Sequence, residues 1–407
     1  MTVTPIRSMA LAILLGASPL ASDRLLAAED AQAIHAAVLP FDAHVDIVPD
    51  FDTPASPASS DGKGQFDLVK IRRGGLKGAA VAVFVPQEGE TPAYLARAKA
   101  AAAERHGVIE GFAKHYPAQV ELAFTPADVR RIAASGKFAL VESIVNGGAF
   151  VDRVEDVDAW AKQGVRIFGL VHAGHNRLAD SSRPALVRAE GPSRNGGLSP
   201  LGRDVVARLN KLGILIDVSQ LSDAAFDQLL SLSRAPVIAS HSDLRALVDN
   251  GRNLTDAQLD ALKKNGGVVA INAFSAYLRP RDPAFTAKLE ALKAEYELQG
   301  ENSAVLPLDK AREYDRRYHE LRATEPLASV ADLVKAVDHA VQRIGIDHVA
   351  LSSDFNHGGG IVGWSDEGEA GNVTAELVKH GYTKDQIAKL WSGNLLRVWG
   401  EAQALKQ

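Results

Sequence analysis

The chain has 407 residues, of which 46% are hydrophobic and 23% are charged, as in an ordinary globular protein. Its formal net charge is -5 and it has no long basic run, which argues against nucleic acid as the main partner. The chain has no cysteine, which excludes disulfides, thiolate zinc ligands and a cysteine nucleophile. The length is enough for one large domain or two ordinary domains.

Residues 1–28 have the pattern of a secretory signal peptide. Arg7 precedes a short apolar run over residues 9–15, and small residues follow this run. Such a run is typical of an export signal and is too short to span a bilayer. We therefore expect an exported protein, periplasmic or extracellular, without a transmembrane segment and with a single domain at residues 29–407. A frayed amphipathic helix is the alternative interpretation of residues 1–28.

Apolar runs that suit buried strands then alternate with helical stretches along the chain. A continuous apolar run is typical of a strand that is covered on both faces of a parallel sheet. The eight predicted strands cover residues 39–46, 78–85, 138–145, 165–172, 214–220, 236–241, 267–274 and 348–354. A short additional strand is expected at residues 120–124.

The alternation of eight strands with helices predicts a (β/α)8 barrel of the TIM type, because eight parallel strands close such a barrel. An open doubly wound sheet is the alternative. Residues 280–326 are polar and charged and break this rhythm, with helices predicted at 289–299 and 308–324. We interpret them as a helical insertion after strand seven. The insertion could cover the barrel mouth, remain a solvated helical pair or form the contact of a homodimer.

Polar side chains stand in or at the ends of six of the eight predicted strands. They are His44, Asp46, Glu142, His172, Asp217, Gln220, His241 and Asp354. A barrel gathers the carboxyl ends of its strands at one mouth, where its active site lies. Imidazole nitrogens and carboxylate oxygens together suit a divalent metal such as zinc. An ionised carboxylate inside an apolar strand, as at Glu142, is costly unless it is paired or bound to a metal.

Each of these residues also has an ordinary structural explanation. His172 fits a core histidine that is bonded to a backbone carbonyl, Asp354 fits a turn cap, and Glu142 fits the partner of an arginine. The repetition of the pattern on several strands favours convergence at one metal site over these separate explanations.

Several segments resemble the membrane (renal) dipeptidase family of zinc peptidases. The similarity runs from about residue 41 to residue 399, in His44-Val-Asp46, Val141-Glu-Ser143, Leu170-Val-His172, residues 197–202, Ile216-Asp-Val-Ser219, residues 234–242 and residues 392–397. The resemblance implies a metal-dependent (β/α)8 hydrolase with two zinc ions. It implies that His44 and Asp46 bind one ion and that Glu142 bridges both ions. It also implies that His241 binds the second ion together with a histidine on strand five.

The sequence departs from this family at strand five, where Gln220 stands in the place of the histidine. A neutral amide oxygen is a weak zinc ligand compared with an imidazole nitrogen. We therefore expect one or two zinc ions, with a second site that is weak, empty or completed by a ligand from elsewhere.

The function implied by the resemblance is hydrolysis of the peptide bond of a dipeptide by a metal-activated water. By the same resemblance, Asp354 accepts the proton of this water and returns it to the leaving amine. His172 binds the substrate and stabilises the oxyanion, and Arg252 binds the C-terminal carboxylate. A guanidinium fits a carboxylate through two parallel hydrogen bonds. A solvated surface arginine is the alternative for Arg252.

Two other functions are left open by the sequence. The first is a related barrel hydrolase that acts on a lactone, a cyclic amide or a phosphoester. The second is an exported binding protein that kept the fold and lost turnover, and the replacement at Gln220 is its best support.

Overall fold

The computed structural model of the protein describes residues 30–184, 190–298 and 308–407. The segment predicted as a signal peptide lies outside these residues. A short helix, α1, spans residues 30–37 and precedes the first strand. None of the helices in the described part of the chain combines enough length with enough apolar character to cross a lipid bilayer.

A barrel of parallel strands forms the centre of the molecule. The strands are β1 (Phe41–Val45), β2 (Gly78–Phe84), β3 (Val120–Leu122), β4 (Phe138–Val145), β5 (Ile167–Gly169), β6 (Leu215–Asp217), β7 (Ile238–Ala239), β8 (Val268–Asn272) and β9 (Val349–Ser352). Their order is β1-β2-β4-β5-β6-β7-β8-β9, and β3 pairs beside the start of β4. The amide of Asp354 donates to the His44 carbonyl at 3.1 Å, so the last strand lies beside the first. The predicted eight-stranded barrel is therefore confirmed, and it is nearly closed.

Helices surround the barrel. They are α2 (Leu68–Arg73), α3 (Pro92–His115), α4 (Pro126–Ala134), α5 (Glu155–Gln163), α6 (Pro200–Leu212), α7 (Asp223–Leu232), α8 (Asp256–Asn265), α9 (Ser275–Leu278), α10 (Pro283–Glu295), α11 (Leu308–Arg322), α12 (Val330–Ile344), α13 (Ala370–Lys379), α14 (Lys384–Ala388) and α15 (Asn394–Ala404). Local sequence sets their ends, as α6 illustrates. The Ser199 hydroxyl accepts from the Gly202 amide at 3.0 Å, and Gly213 ends the helix with a φ of 69°.

Alternation along the strands separates an inner layer from an outer layer of side chains. The inner layer includes Phe41, Ala80, Val141, Ile167, Leu215, Ile238, Val268 and Ala350. The side chains of the outer layer, such as Val81, Leu140 and Ile144, pack against the surrounding helices. Because successive residues of a strand face opposite sides, a shift of one residue along the strand moves a polar group from the barrel interior to the face covered by the helices.

The segment that was predicted as a helical insertion contains α10 and α11, close to the two helices expected there. The two helices contact each other through a small cluster of Leu292, Leu298 and Tyr314. Whether this segment covers the mouth or contacts a second copy of the chain stays a prediction.

Candidate metal centre

Four buried side chains converge at the carboxyl ends of the strands, and we refer to them as the mouth cluster. They are His44, Asp46, His241 and Asp354. His44, His241 and Asp354 each offer a ligand atom, and these atoms lie within 4.8 Å of one another. The structure thus brings together four of the residues that the sequence proposed as ligands or catalytic groups.

His44 reaches the mouth because β1 is irregular. The pairing of β1 with β2 shifts register between Asp42 and Val45, which is a β-bulge. Ala43 belongs to the inner layer, and the next residue, His44, also turns inward, to contact the mouth. A bulge is a common way to redirect a side chain beside an active site.

Asp46 has an oxygen that is free to bind a cation. Its Oδ2 is buried and accepts no well-aligned hydrogen bond from the described residues, although it lies 3.4 Å from His44 Nε2 and 3.3 Å from His357 Nδ1. A buried carboxylate oxygen without a hydrogen bond is unfavourable unless another positive group compensates it. This oxygen therefore fits the ligand shell of a metal ion.

The electrostatic field of the mouth favours positive charge. Burial by itself lowers the pKa of His44, but the carboxylates of Asp46 and Asp354 raise that pKa to about 9. Burial raises the pKa of Asp46, but the imidazoles of His357 and His44 outweigh burial and hold it below its ordinary value. The field that stabilises an imidazolium here also stabilises a divalent cation.

His241 is oriented from behind by a chain of hydrogen bonds. Its Nδ1 lies 2.7 Å from the Ser240 hydroxyl, which donates to Asp217 Oδ2 at 2.6 Å. Burial lowers the pKa of His241 well below its ordinary value, so the ring is neutral. Metal-binding histidines commonly have their second nitrogen bonded in this way. Asp217 therefore supports the site from behind.

Three polar residues that follow strands at the mouth have left-handed backbone. They are Asn146 after β4, Gln220 after β6 and Asp354 after β9, with φ values of 64°, 70° and 55°. This conformation costs a non-glycine residue on the order of 1 kcal/mol or more. Its repetition at the strand ends indicates that the directions of these side chains matter more than local backbone stability.

The opposite side of the mouth holds a second group, His172, Arg183 and Gln220, which we call the arginine group. Arg183 Nη2 donates to Gln220 Oε1 at 2.6 Å and to His172 Nε2 at 3.2 Å. Gln220 Nε2 in turn lies 3.0 Å from His241 Nε2, which connects the two groups. Burial, followed by the charge of Arg183, lowers the pKa of His172 well below its ordinary value, so this ring is neutral.

Glu142 does not reach the mouth. Its Oε1 lies 2.7 Å from His106 Nδ1 on α3, and its register partner in β2 is Val81, an outer-layer residue. The structure contradicts the prediction that Glu142 bridges two ions, because alternation along β4 turns it toward the helices. The residue at the mouth end of β4 is Asn146. Its Nδ2 donates to the Val85 carbonyl at 2.8 Å, and its Oδ1 accepts from Asn176 at 3.0 Å.

Arg252 is buried, with 4% of its surface exposed, which excludes the alternative of a solvated arginine. Its Nη1 donates to the Ser242 hydroxyl at 3.1 Å, and its guanidinium carbon lies 5.5 Å from the centre of the Tyr277 ring. Arg252 and Tyr277 line a cleft of about 550 Å³ together with Arg183 and Phe274. This cleft can receive an anionic end of a substrate.

The sequence analysis missed Asn146, Arg183 and His357. Asn146 and His357 carry the same signal as the predicted residues, since each lies within three residues of the end of a strand as predicted from the sequence. Arg183 lies in a long polar loop and has no such signal. The loop reaches the mouth because the Ser182 amide donates to the Gln220 carbonyl at 2.8 Å.

Comparison with known proteins agrees with this geometry. Residues 28–407 match the family model described as membrane dipeptidase, peptidase family M19. The chain belongs to the membrane dipeptidase family. The metal that membership of this family implies fits the mouth cluster, since that cluster offers converging nitrogen and oxygen donors.

Several proteins that are similar to this member of the membrane dipeptidase family are named dipeptidases or metallopeptidases. The chain is 42% identical to the probable dipeptidase PvdM from Pseudomonas aeruginosa, whose crystal structure superposes with a TM-score of 0.87 over 94% of this chain and 99% of that chain. It is 30% identical to the dipeptidase tcpJ of Claviceps purpurea over 71% of this chain, and the match spans 56% of that protein. The fold is also that of a metallopeptidase from Rhodobacter sphaeroides bound to a phosphinate mimic of the dipeptide L-Ala-D-Ala, at a TM-score of 0.69 and 22% identity, over 90% of this chain and 99% of that chain.

Proposed function

We propose that this chain is a metal-dependent dipeptidase that holds zinc in its mouth cluster. The observation that carries the proposal is the convergence of His44, His241 and Asp354, whose ligand atoms lie within 4.8 Å. His44, His241 and the buried Asp46 Oδ2 would hold the ion, and the Asp354 carboxylate would lie beside it. Nitrogen and oxygen donors in this number suit zinc, and family membership supports dipeptides as the substrate class.

A divalent cation bound here would polarise the peptide carbonyl and lower the pKa of a water molecule. Asp354 is the residue that accepts a proton from the attacking water and donates it to the leaving amine. Its Oδ2 accepts from Asn272 Nδ2 at 3.3 Å, which holds the carboxylate in place. Burial raises the pKa of Asp354, which moves it toward the range in which a carboxylate exchanges protons near neutral pH.

Negative charge on the carbonyl oxygen is stabilised from the arginine group. His172 Nε2 accepts a hydrogen bond from Arg183, so in this arrangement the guanidinium carries the free N–H groups. Arg183 Nε is buried and has no hydrogen bond among the described residues. We therefore assign oxyanion stabilisation to the Arg183 guanidinium, which His172 holds in place.

Arg252 binds the C-terminal carboxylate of the dipeptide. Its Nε is buried without a hydrogen-bond partner in the part of the chain that the structure describes, and Arg252 lines the cleft beside Tyr277, while its terminal nitrogens donate to the Ser242 hydroxyl and to the His241 carbonyl. A planar guanidinium held in one orientation favours a carboxylate over a neutral end group. A dipeptide places this carboxylate one residue from the bond to be cleaved.

The test is a hydrolysis assay on protein that has been stripped of metal and reloaded with zinc. We expect free amino acids from a panel of dipeptides that includes D-residues at the second position, and no release from metal-free protein. The same dipeptides with a C-terminal amide are the control, because they lack the carboxylate that Arg252 binds. Hydrolysis of dipeptide amides as fast as free dipeptides would refute the assigned role of Arg252.

Two parallel measurements separate the alternatives. A panel of lactones, cyclic amides and phosphoesters tests the other barrel hydrolases, and cleavage of these substrates alone would replace the dipeptidase proposal. Binding of dipeptides without turnover, at full zinc content, would favour the binding protein. The arginine group favours the binding protein, because a guanidinium and an amide bonded to it are not a set of metal ligands.

We also propose that the protein is exported. Arg7 and the apolar run at residues 9–15 support this proposal. N-terminal sequencing of the protein from the periplasm or the medium would test it, and an intact Met1 on protein recovered only from the cytoplasm would contradict it.

A further inference from the structure

The two halves of the mouth offer different chemistry to a cation. The mouth cluster presents imidazoles and carboxylates, including the free oxygen of Asp46. The arginine group presents a neutral imidazole, a neutral amide and a guanidinium. Only the first set contains the anionic oxygen donors that offset the charge of a divalent ion.

Gln220 is not available as a ligand in this arrangement. Its Oε1 accepts from Arg183 at 2.6 Å, and this bond directs the amide nitrogen toward His241 Nε2 at 3.0 Å. The amide thus uses its oxygen on the guanidinium and presents N–H groups to the mouth. An amide N–H group has no lone pair to offer a metal ion, so Gln220 supplies no ligand for a second ion in this arrangement.

Among the described residues, the candidates for a carboxylate that bridges two ions have other partners. Glu142 faces His106 in the outer layer. Asn146, which ends β4 at the mouth, uses its Nδ2 on the Val85 carbonyl and its Oδ1 on Asn176. Asp217, the last residue of β6, accepts from Ser219 and Ser240.

Positive charge is nevertheless present in this half of the mouth. The Arg183 guanidinium contacts His172 and also Gln220, which stands at the position where the family resemblance implies a ligand of the second ion. A divalent ion at that place would lie against a fixed like charge, which opposes its binding. The guanidinium can also donate N–H groups to the carbonyl oxygen of a substrate, and it would stabilise negative charge there as a metal ion would.

We infer that the mouth holds one divalent cation and that the Arg183 guanidinium takes the place of a second, supplying its positive charge beside His172. This inference rests on the proposed function for the presence of the first ion. It differs from the pair of ions that the family resemblance implied.

The first experiment counts ions, so it does not depend on turnover. Metal-free protein is titrated with Co²⁺, and the visible absorption of the bound ion is followed to its end point, with total metal measured after gel filtration. We expect an end point at one equivalent per chain. Two equivalents would overturn the inference, and no uptake would overturn both the inference and the metal-dependent function.

The matched control is Arg203→Ala. Arg203 Nη2 also donates to a glutamine oxygen, that of Gln228 at 2.8 Å, but this pair is on the surface of the helical layer. The control should keep the end point of the wild type. The double variant Arg183→Ala/Gln220→His removes the guanidinium and adds an imidazole, and it should take up a second, weaker equivalent. Retention of one equivalent in this variant would contradict the position assigned to Arg183.

A third measurement tests the charge of Arg183 directly. Arg183→Ala should lose about 100-fold in kcat for a dipeptide, as expected when one donor to an oxyanion is removed. Guanidinium ion at millimolar concentration should restore part of this loss, whereas the same concentration of sodium should not. Absence of rescue in a folded Arg183→Ala variant would overturn the catalytic part of the inference. One equivalent of Co²⁺ without cleavage of any dipeptide would support the single ion and remove the proposed substrate.

Discussion

The mouth and the outer layer of the barrel each contain a buried carboxylate beside an imidazole, and the two pairs differ in what they leave unsatisfied. Asp46 lies beside His44 at 3.4 Å, and its Oδ2 accepts no well-aligned hydrogen bond within the described part of the chain. Glu142 lies 2.7 Å from His106 and forms a complete pair. Burial of a charged residue therefore does not identify a metal site. A free ligand atom that converges with others does.

The largest expected difference between the two pairs is in metal content. Asp46→Asn removes an anionic donor from the mouth cluster, so bound zinc should fall to a small fraction of an equivalent and dipeptide hydrolysis should fall about 1000-fold. The matched change in the outer layer, Glu142→Gln, should keep both. Metal analysis and initial rates measure the two effects. Equal losses of zinc and of activity in the two variants would show that Asp46 is no more important for metal binding than Glu142.

Asp354→Asn tests the catalytic part of the mouth separately from its ligands. The amide cannot accept the proton of water, so turnover should fall about 100-fold to 10,000-fold. His44, Asp46 and His241 remain, so we expect zinc content close to one equivalent. Loss of zinc together with loss of turnover in this variant would mean that Asp354 is a ligand of the ion and not only the base.

The outer pair should respond in stability and not in activity. Glu142→Ala removes the hydrogen-bond partner of His106 Nδ1 and leaves only Glu110, 3.9 Å from Nε2, so we expect a loss of about 3 kcal/mol in the free energy of unfolding, measured in urea. Glu142→Gln keeps a hydrogen bond and should lose about 1 kcal/mol. A cycle with His106→Gln isolates the energy of the pair. A fall in metal affinity in Glu142→Ala without a change in stability would reverse the assignment.

The smallest expected effect is a pH dependence of the outer pair. The hydrogen bond to Glu142 raises the pKa of His106 above its ordinary value of 6.5. A group whose pKa is raised by folding adds stability that is complete below its unfolded pKa and disappears as the pH rises through the folded pKa. The stability advantage of the wild type over His106→Gln should therefore be largest below about pH 6.5 and decline above it. A constant difference across this range would mean that His106 stays neutral.

Much of the barrel could be predicted from the sequence because its signals are local. The apolar runs that became β1, β4 and β9 read as strands in isolation, and the cap at Ser199 and the glycine at Gly213 mark the ends of α6. The same strand-end rule found His44, His241 and Asp354. The observed strands are shorter than predicted, because residues such as His172 leave the ladder and face the mouth.

The sequence by itself determined the barrel, its family and most of the polar residues at its mouth, since strand periodicity, helix caps and strand-end residues are properties of short segments. Only the tertiary structure decided which of those residues meet. The face that Glu142 occupies depends on the register of β4 with β2, and the reach of Arg183 depends on a loop that pairs with a distant strand end. Both are set by contacts between segments far apart in the chain, which no local pattern encodes.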